Sequence, residues 1–204
     1  MKKIIALLLA LVCVISLAAC GEDEPAGGAE LDAFTAAVAA ADPNGARIET
    51  SVSSDTFGVT LAGEYDVTYN EDGSATVAYT YEQLRLIADD TTSADGIKET
   101  LTGAATVAAD GKVTVVEGNG TIGAQITAVA GIKLNLDGSK MTYSVSSGML
   151  SATVKAENTA SVLGTAIASD VNLVVTVANG SVSAITLSYS TQDGAAEIVC
   201  LYNY

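Results

Sequence analysis

Tyr65-Asp66-Val67-Thr68-Tyr69-Asn70-Glu71-Asp72-Gly73-Ser74-Ala75-Thr76-Val77-Ala78-Tyr79 decides how this chain folds. On either side of Asp72-Gly73 apolar and polar residues alternate, the period of a strand with one face buried. A three-residue loop with Gly73 in the left-handed conformation pairs Tyr65 with Tyr79, Val67 with Val77 and Tyr69 with Ala75. All six then share one face, whereas a two-residue loop would scatter them.

The same pattern extends over almost everything after Ala46, in segments rich in Val, Thr, Ile and Tyr. Turn signals recur at Asp110-Gly111, Asp137-Gly138, Asn179-Gly180 and Asp193-Gly194, where Gly accepts positive φ and Asp or Asn tolerates it. Two-residue loops are expected to pair Tyr189 with Ile198, Leu187 with Cys200 and Ile185 with Tyr202 across Asp193-Gly194. The same rule sets Leu134 opposite Met141 and Ile132 opposite Tyr143 across Asp137-Gly138. Residues 83–97, with Asp89-Asp90-Thr91-Thr92-Ser93, read as a polar excursion or short helix, and 158–170 as strand, helical turn or loop. Before the strands, Leu31, Phe34, Val38 and Ala41 form one apolar stripe on an alanine-rich helix over 30–41, ended by Asp42-Pro43-Asn44-Gly45. The predicted fold is therefore α+β, mainly β: an N-terminal helix packed on a large, curved, antiparallel meander of about eight to eleven strands.

Composition excludes several function classes. The chain of 204 residues carries 24 acidic and 9 basic side chains and no histidine. Beyond Lys2 and Lys3 the seven basic residues are scattered singly, so nucleic acid, which demands clustered Lys and Arg against phosphates, is not an expected partner. Without histidine the usual triad base and the commonest ligand for zinc, copper and iron are missing, and no metal or cofactor is expected. Gly118-Asn119-Gly120-Thr121-Ile122-Gly123 lies between strand-like segments and reads as a bend rather than a phosphate loop. Glu64, Asp66 and Glu82 alternate with apolar residues and read as a solvated face, not a glycosidase pair. Asn70-Glu71-Asp72-Gly73-Ser74 lacks the terminal glutamate of a calcium loop. Tyr65, Tyr69, Tyr79, Tyr81, Tyr189, Tyr202 and Tyr204 fall on the apolar faces, as cross-strand packing or as the lining of a cleft. Cys200, the one cysteine of the body, reads as a buried small hydrophobe.

The first residues address a different question. Lys2 and Lys3 precede an apolar run from Ile4 to Leu17, and Leu17-Ala18-Ala19-Cys20 closes it. Ile4–Ala19 falls short of the roughly 20 residues a spanning helix needs. This arrangement resembles the signal peptide of bacterial lipoproteins. The resemblance implies cleavage before Cys20 and a diacylglyceryl thioether on its sulfur, with 1–19 as leader and 20–29 as lipidated cysteine and flexible tether. Residues 30–204 then form a single domain. Cleavage would remove Lys2 and Lys3 and leave a mature chain more acidic than the −15 of the whole. In outline the body is similar to the open half-barrels of periplasmic and mycobacterial lipoprotein carriers, the LolA and LppX-like group, a likeness of architecture that transfers no residue.

These readings converge on a monomeric, non-enzymatic lipoprotein on the extracytoplasmic face of a cell membrane. A Gram-positive surface is favoured over a Gram-negative periplasm. The membrane is met through the anchor on Cys20, and a lipid or other hydrophobic ligand is expected between sheet and helix. The alternative is a structural or protein-interaction module of the envelope without a ligand cavity.

Overall fold

The computed structural model describes residues 28–88, 94–118, 120, 122–131, 134–192 and 194–204. The leader, Cys20 and the tether up to residue 27 lie outside the described residues. What is described is mainly β, one antiparallel sheet of ten strands with a few short helices.

Helix α1 (Gly28–Ala39) precedes β1 (Gly45–Ser54), β2 (Val59–Tyr69), β3 (Ala75–Ala88), β4 (Ala94–Val107) and β5 (Val113–Gly118). Helix α2 (Ala124–Ala130) follows, then β6 (Met141–Ser146) and β7 (Met149–Val154). A 3-10 turn (Ala156–Asn158) leads into α3 (Thr159–Leu163) before β8 (Val171–Ala178), β9 (Ser181–Ser190) and β10 (Ala195–Asn203). The spatial order is β5-β4-β3-β2-β1-β10-β9-β8-β7-β6. Every neighbour in space is thus a neighbour in sequence except β1 and β10, which pair antiparallel and join the two halves of the chain. That is the strand order of an up-and-down barrel left unpaired between β5 and β6.

One row of side chains follows the pairing across the sheet: Val145, Leu150, Val175, Ile185, Cys200, Ile48, Tyr65, Tyr79 and Gly103. From Leu150 to Ile48 these residues are sealed from solvent. The helices add to the same cluster: Leu31, Phe34 and Val38 from α1, Ile126 and Val129 from α2, Val162 and Leu163 from α3. Burying each large aliphatic side chain contributes roughly 1.5–3 kcal/mol, and it is this shared face that selects the register. The opposite face carries Thr, Ser and charge, with Thr68, Thr76, Thr106 and Thr114 aligned across β2 to β5.

The β2–β3 register is the expected one, Tyr65 with Tyr79, Val67 with Val77 and Tyr69 with Ala75. Gly73 stands at φ +79 and Asn70 N–H donates to the Ser74 carbonyl at 2.9 Å, closing the three-residue loop. The helix stripe also falls where the spacing placed it, although α1 stops at Ala39 and Ala41 lies beyond it, half-buried.

Three local expectations are corrected. In the last hairpin Tyr189 pairs with Ala196, Leu187 with Ile198 and Ile185 with Cys200, a slip of two residues that moves the turn one position toward β9, where the Thr191 N–H donates to the Gly194 carbonyl at 2.7 Å. A two-residue slip leaves every side chain on its face, so burial pattern alone does not separate the registers. The proposed strand before Asp137-Gly138 does not form: residues 134–140 are irregular, and β6 pairs only with β7, whose tight turn uses Ser147 (φ 49) and Gly148 (φ 78). Ile132 is outside the described residues. Residues 83–88 and 94–97 are neither excursion nor helix but the distal parts of β3 and β4, paired from Ala75 opposite Val107 out to Ala88 opposite Ala94. Of the strand, helical turn or loop open to 158–170, the chain takes the helical turn as α3, capped by Gly164 in the left-handed conformation at φ 72.

Candidate functional site

Helix α2 stands where the sequence pattern predicts a strand-like segment after Gly118–Gly123. It is only seven residues long, too short to be stable by itself. Tertiary contacts hold it. Ile126, Ala128, Val129 and Ala130 are buried, and two tyrosines from the sheet seize its C-terminal carbonyls. The Tyr202 hydroxyl donates to the Val129 carbonyl at 2.6 Å, and that of Tyr69 donates to Ala130. Burial pushes the pKa of both phenols above the usual tyrosine range, so both keep the proton they donate.

Beside this latch, where α1 ends and the β2–β3 turn begins, lies an open groove of about 450 Å³. Val38, Ala41, Asp42, Tyr69, Leu134 and Asn135 are among its walls. Pro43 is buried and ends the chain's helical course, while Asn135 N–H donates to the Val162 carbonyl at 2.8 Å and fixes the opposite wall.

The other tyrosines pack together. The rings of Tyr65 and Tyr81 stack at 6.3 Å, with Tyr79 tilted against both at 6.4 and 5.8 Å. Glycines accommodate them: a Cβ on Gly120 would lie 2.6 Å from the Tyr79 ring and 2.9 Å from that of Tyr81. Of the set read from sequence, only Tyr69 lines the groove. Tyr204 instead donates to the Val182 carbonyl at 2.9 Å.

Two of the candidate carboxylates are held in ion pairs. Glu64 pairs with Arg47 at 3.0 Å and Glu82 with Lys98 at 2.8 Å. Lys98 and the Ala62 amide hold the Glu82 carboxyl below the usual range, the opposite of what a general acid requires. Glu64, Asp66 and Glu117 border a second, shallow depression of about 340 Å³ on the hydroxyl-rich face. In the Asn70–Ser74 loop, Asp72 accepts from the Ser74 amide at 2.9 Å and its hydroxyl at 2.6 Å, spending its oxygen on the turn. Among the described residues no group of three or more His, Cys, Asp or Glu could hold a metal.

Tyr202→Phe removes a donor from a buried carbonyl and is expected to cost about 1–3 kcal/mol, read as a lower urea midpoint. Amide exchange should accelerate in α2 more than in β8 or β9. High pH acts on the same interior. Burial pushes the Tyr65 phenol and the Cys200 thiol up to about 12, from ordinary values of 10.0 and 9.0. Their folded values lie above their unfolded ones, so the stability they contribute is complete below about pH 9 and is lost as pH rises toward about 12. Urea midpoints should therefore decline across that window, and a flat profile would contradict the burial described.

No family model matches this chain, and no curated protein matches it. No helix among the described residues is long and apolar enough to cross a membrane.

Proposed function

We propose that this chain is a lipid-anchored, extracytoplasmic and non-enzymatic protein, held to the membrane through Cys20, whose body is a half-barrel wrapped around its own helices. It serves as a structural or protein-interaction module of the envelope. The observation that carries this reading is the filling of the buried face. Val129, Val162 and Leu163, all from helices, are at most 1% exposed within the cluster formed by the sheet. In a carrier, hydrophobic cargo would occupy that volume; here the chain's own aliphatic groups do.

Anchoring follows from the leader: two acyl chains at about 0.8 kcal/mol per buried methylene hold a protein where one chain only visits. The acidic body, with a net charge of −15 over the whole chain, would stand off from anionic head groups and resist self-association. A second reading, a small ligand held between helix and sheet, is favoured by the groove of about 450 Å³ beside Tyr69.

Two measurements test the proposal. Metabolic labelling with palmitate should mark the wild type and leave Cys20→Ser unmarked and released from membranes; equal labelling of both would refute the anchor. Native mass spectrometry of the full-length chain from detergent should then give the mass of the lipidated polypeptide alone. An additional co-purifying lipid mass would establish a carrier instead.

A further inference from the structure

We propose that the free side of β5 receives an extended, basic segment of a partner protein as a further strand of the sheet, with apolar residues of the segment beside Val113 and Val115 and its cations beside Glu117. The proposal gives a surface and a partner chemistry to the interaction module proposed above and rests on that reading, not on the anchor at Cys20.

β5 stands at one end of the strand order and, among the described residues, is paired with β4 alone. The N–H and C=O groups on its other side form the open row on which strand addition depends. Exposure shows that this side is uncovered: after half-buried Val113, every residue of the strand is exposed. Val116, left without an opposite by the bulge between Ala104 and Ala105, is 62% exposed, the highest value for a large apolar side chain among the described residues, and Val115 is 41% exposed. No proline or lysine, the usual guards of an edge, interrupts Val113–Gly118. The other end of the sheet differs. There β6 buries Met141 and packs Tyr143 and Val145 on the core, leaving Thr142, Ser144 and Ser146 as its exposed side chains.

Register fixes what the added strand must carry. Val113 and Val115 stand opposite Val107 and Ala105, both buried, so the two valines continue the core face. Thr114 and Glu117 stand opposite Thr106 and Ala104 on the hydroxyl-rich face, where Glu117 borders the same depression as Glu64 and Asp66. A segment in which apolar residues alternate with basic ones satisfies both faces. Its apolar side chains extend the core face past Val115, and its cations meet Glu117 across the strands, where opposite charges attract. Residues 118–123 bring no charge of their own beside Glu117, and Lys112 stands five residues back along the chain, roughly 17 Å at about 3.3 Å per residue. A second copy is opposed by like charge, −15 on each chain. The tether, with Glu22-Asp23-Glu24-Pro25, has the wrong sign and a proline that cannot donate to a ladder.

Fluorescence anisotropy of the full-length chain in non-ionic detergent provides the test, with a labelled heptapeptide of alternating valine and lysine as the probe. One saturable equivalent is expected, weakening as salt is raised, and the same peptide with glutamate in place of lysine should not bind. Methylating alternate peptide nitrogens separates strand pairing from charge, since every lysine is kept. Methylation in one phase should abolish binding and in the other spare it, because only one edge of the peptide faces β5. Amide exchange should slow along Val113–Gly118 and not along Met141–Ser146. Glu117 is exposed, so Glu117→Lys should fold. It should weaken the lysine peptide about tenfold or more, the equivalent of 1.4 kcal/mol, and admit the glutamate peptide. Absence of saturable uptake, identical behaviour of the two methylated peptides, unchanged binding to Glu117→Lys, or protection of β6 instead of β5 would each overturn the proposal. So would dimerisation of the unliganded chain that protects the same amides, which would give the edge to a second copy. Palmitate labelling and the mass of the lipidated polypeptide are unaffected by any of these results, so this inference fails separately from the reading beneath it.

Discussion

Leu163→Ala is expected to lower the free energy of unfolding by about 2–5 kcal/mol. Leu163 closes α3 immediately before Gly164 turns the chain back, and it is fully shielded from solvent within the cluster that unites helices and sheet. The truncation forfeits the transfer energy of the lost carbons and leaves a void whose lining cannot fully collapse, because sheet residues such as Leu173 and Ile185 are themselves locked by pairing. Leu201→Ala supplies the control. Leu201 lies on the opposite face, 40% exposed, and its truncation should change stability by about 0.5 kcal/mol or less. Urea denaturation followed by circular dichroism measures both. A loss near that of Leu201→Ala would mean that α3 is loosely seated and the interior hollow, reviving the carrier reading.

The contrast between the two leucines also marks what a sequence can disclose. The β2–β3 hairpin was legible to the residue because its turn chemistry and its tyrosines agree: only one loop length keeps Tyr65, Val67, Val77 and Tyr79 together. The last hairpin was legible in face but not in register, since Leu187 meets an apolar partner whether it pairs with Ile198 or Cys200. The stripe of α1 was readable for a similar reason, as its spacing has one solution. Helix α2 escaped because Gln125-Ile126-Thr127-Ala128 alternates as a strand does, and over so short a span only the i, i+3 spacing of Ile126 and Val129 argues for a helix. Its helicity is decided from far away in sequence, by the hydroxyls of Tyr69 and Tyr202.

The groove was hidden for the same physical reason. Asp42 announces the end of a helix, and Tyr69 announces a strand. Nothing in the local pattern brings Leu134 and Asn135 to join them, because that wall depends on where the irregular connection from α2 to β6 crosses the face. The pairing of β1 with β10, which makes the sheet a nearly closed ring in order, is likewise a contact between the two ends of the domain. Local periodicity predicts strands and hairpins; it does not predict which distant strand receives the first one.

Gly118→Ala is expected to cost about 2–4 kcal/mol from overpacking and left-handed strain together. Gly118 stands at φ +84, where a side chain is strained whatever the space. Space is lacking too. An added Cβ would sit 2.3 Å from the Thr102 carbonyl oxygen and 2.9 Å from the Gly103 Cα, both backbone atoms that no rotamer change can move. Gly180→Ala separates the two causes, because Gly180 has nearly the same φ, +82, but nothing within 4 Å of its Cβ position. Strain alone should make it cost about 1–2 kcal/mol. β5 is an edge strand paired only with β4, so the chain can relieve Gly118→Ala by letting β5 peel away. Amide exchange should then quicken along Val113–Gly118 while the paired amides of β8 and β9 stay protected. Equal costs for the two glycine variants would show that β5 does not approach Thr102 as closely as described. Release of β5 would also uncover the ring of Tyr79, which packs against Gly103 on the neighbouring strand. Quenching of tyrosine fluorescence by acrylamide should therefore rise with Gly118→Ala and not with Gly180→Ala.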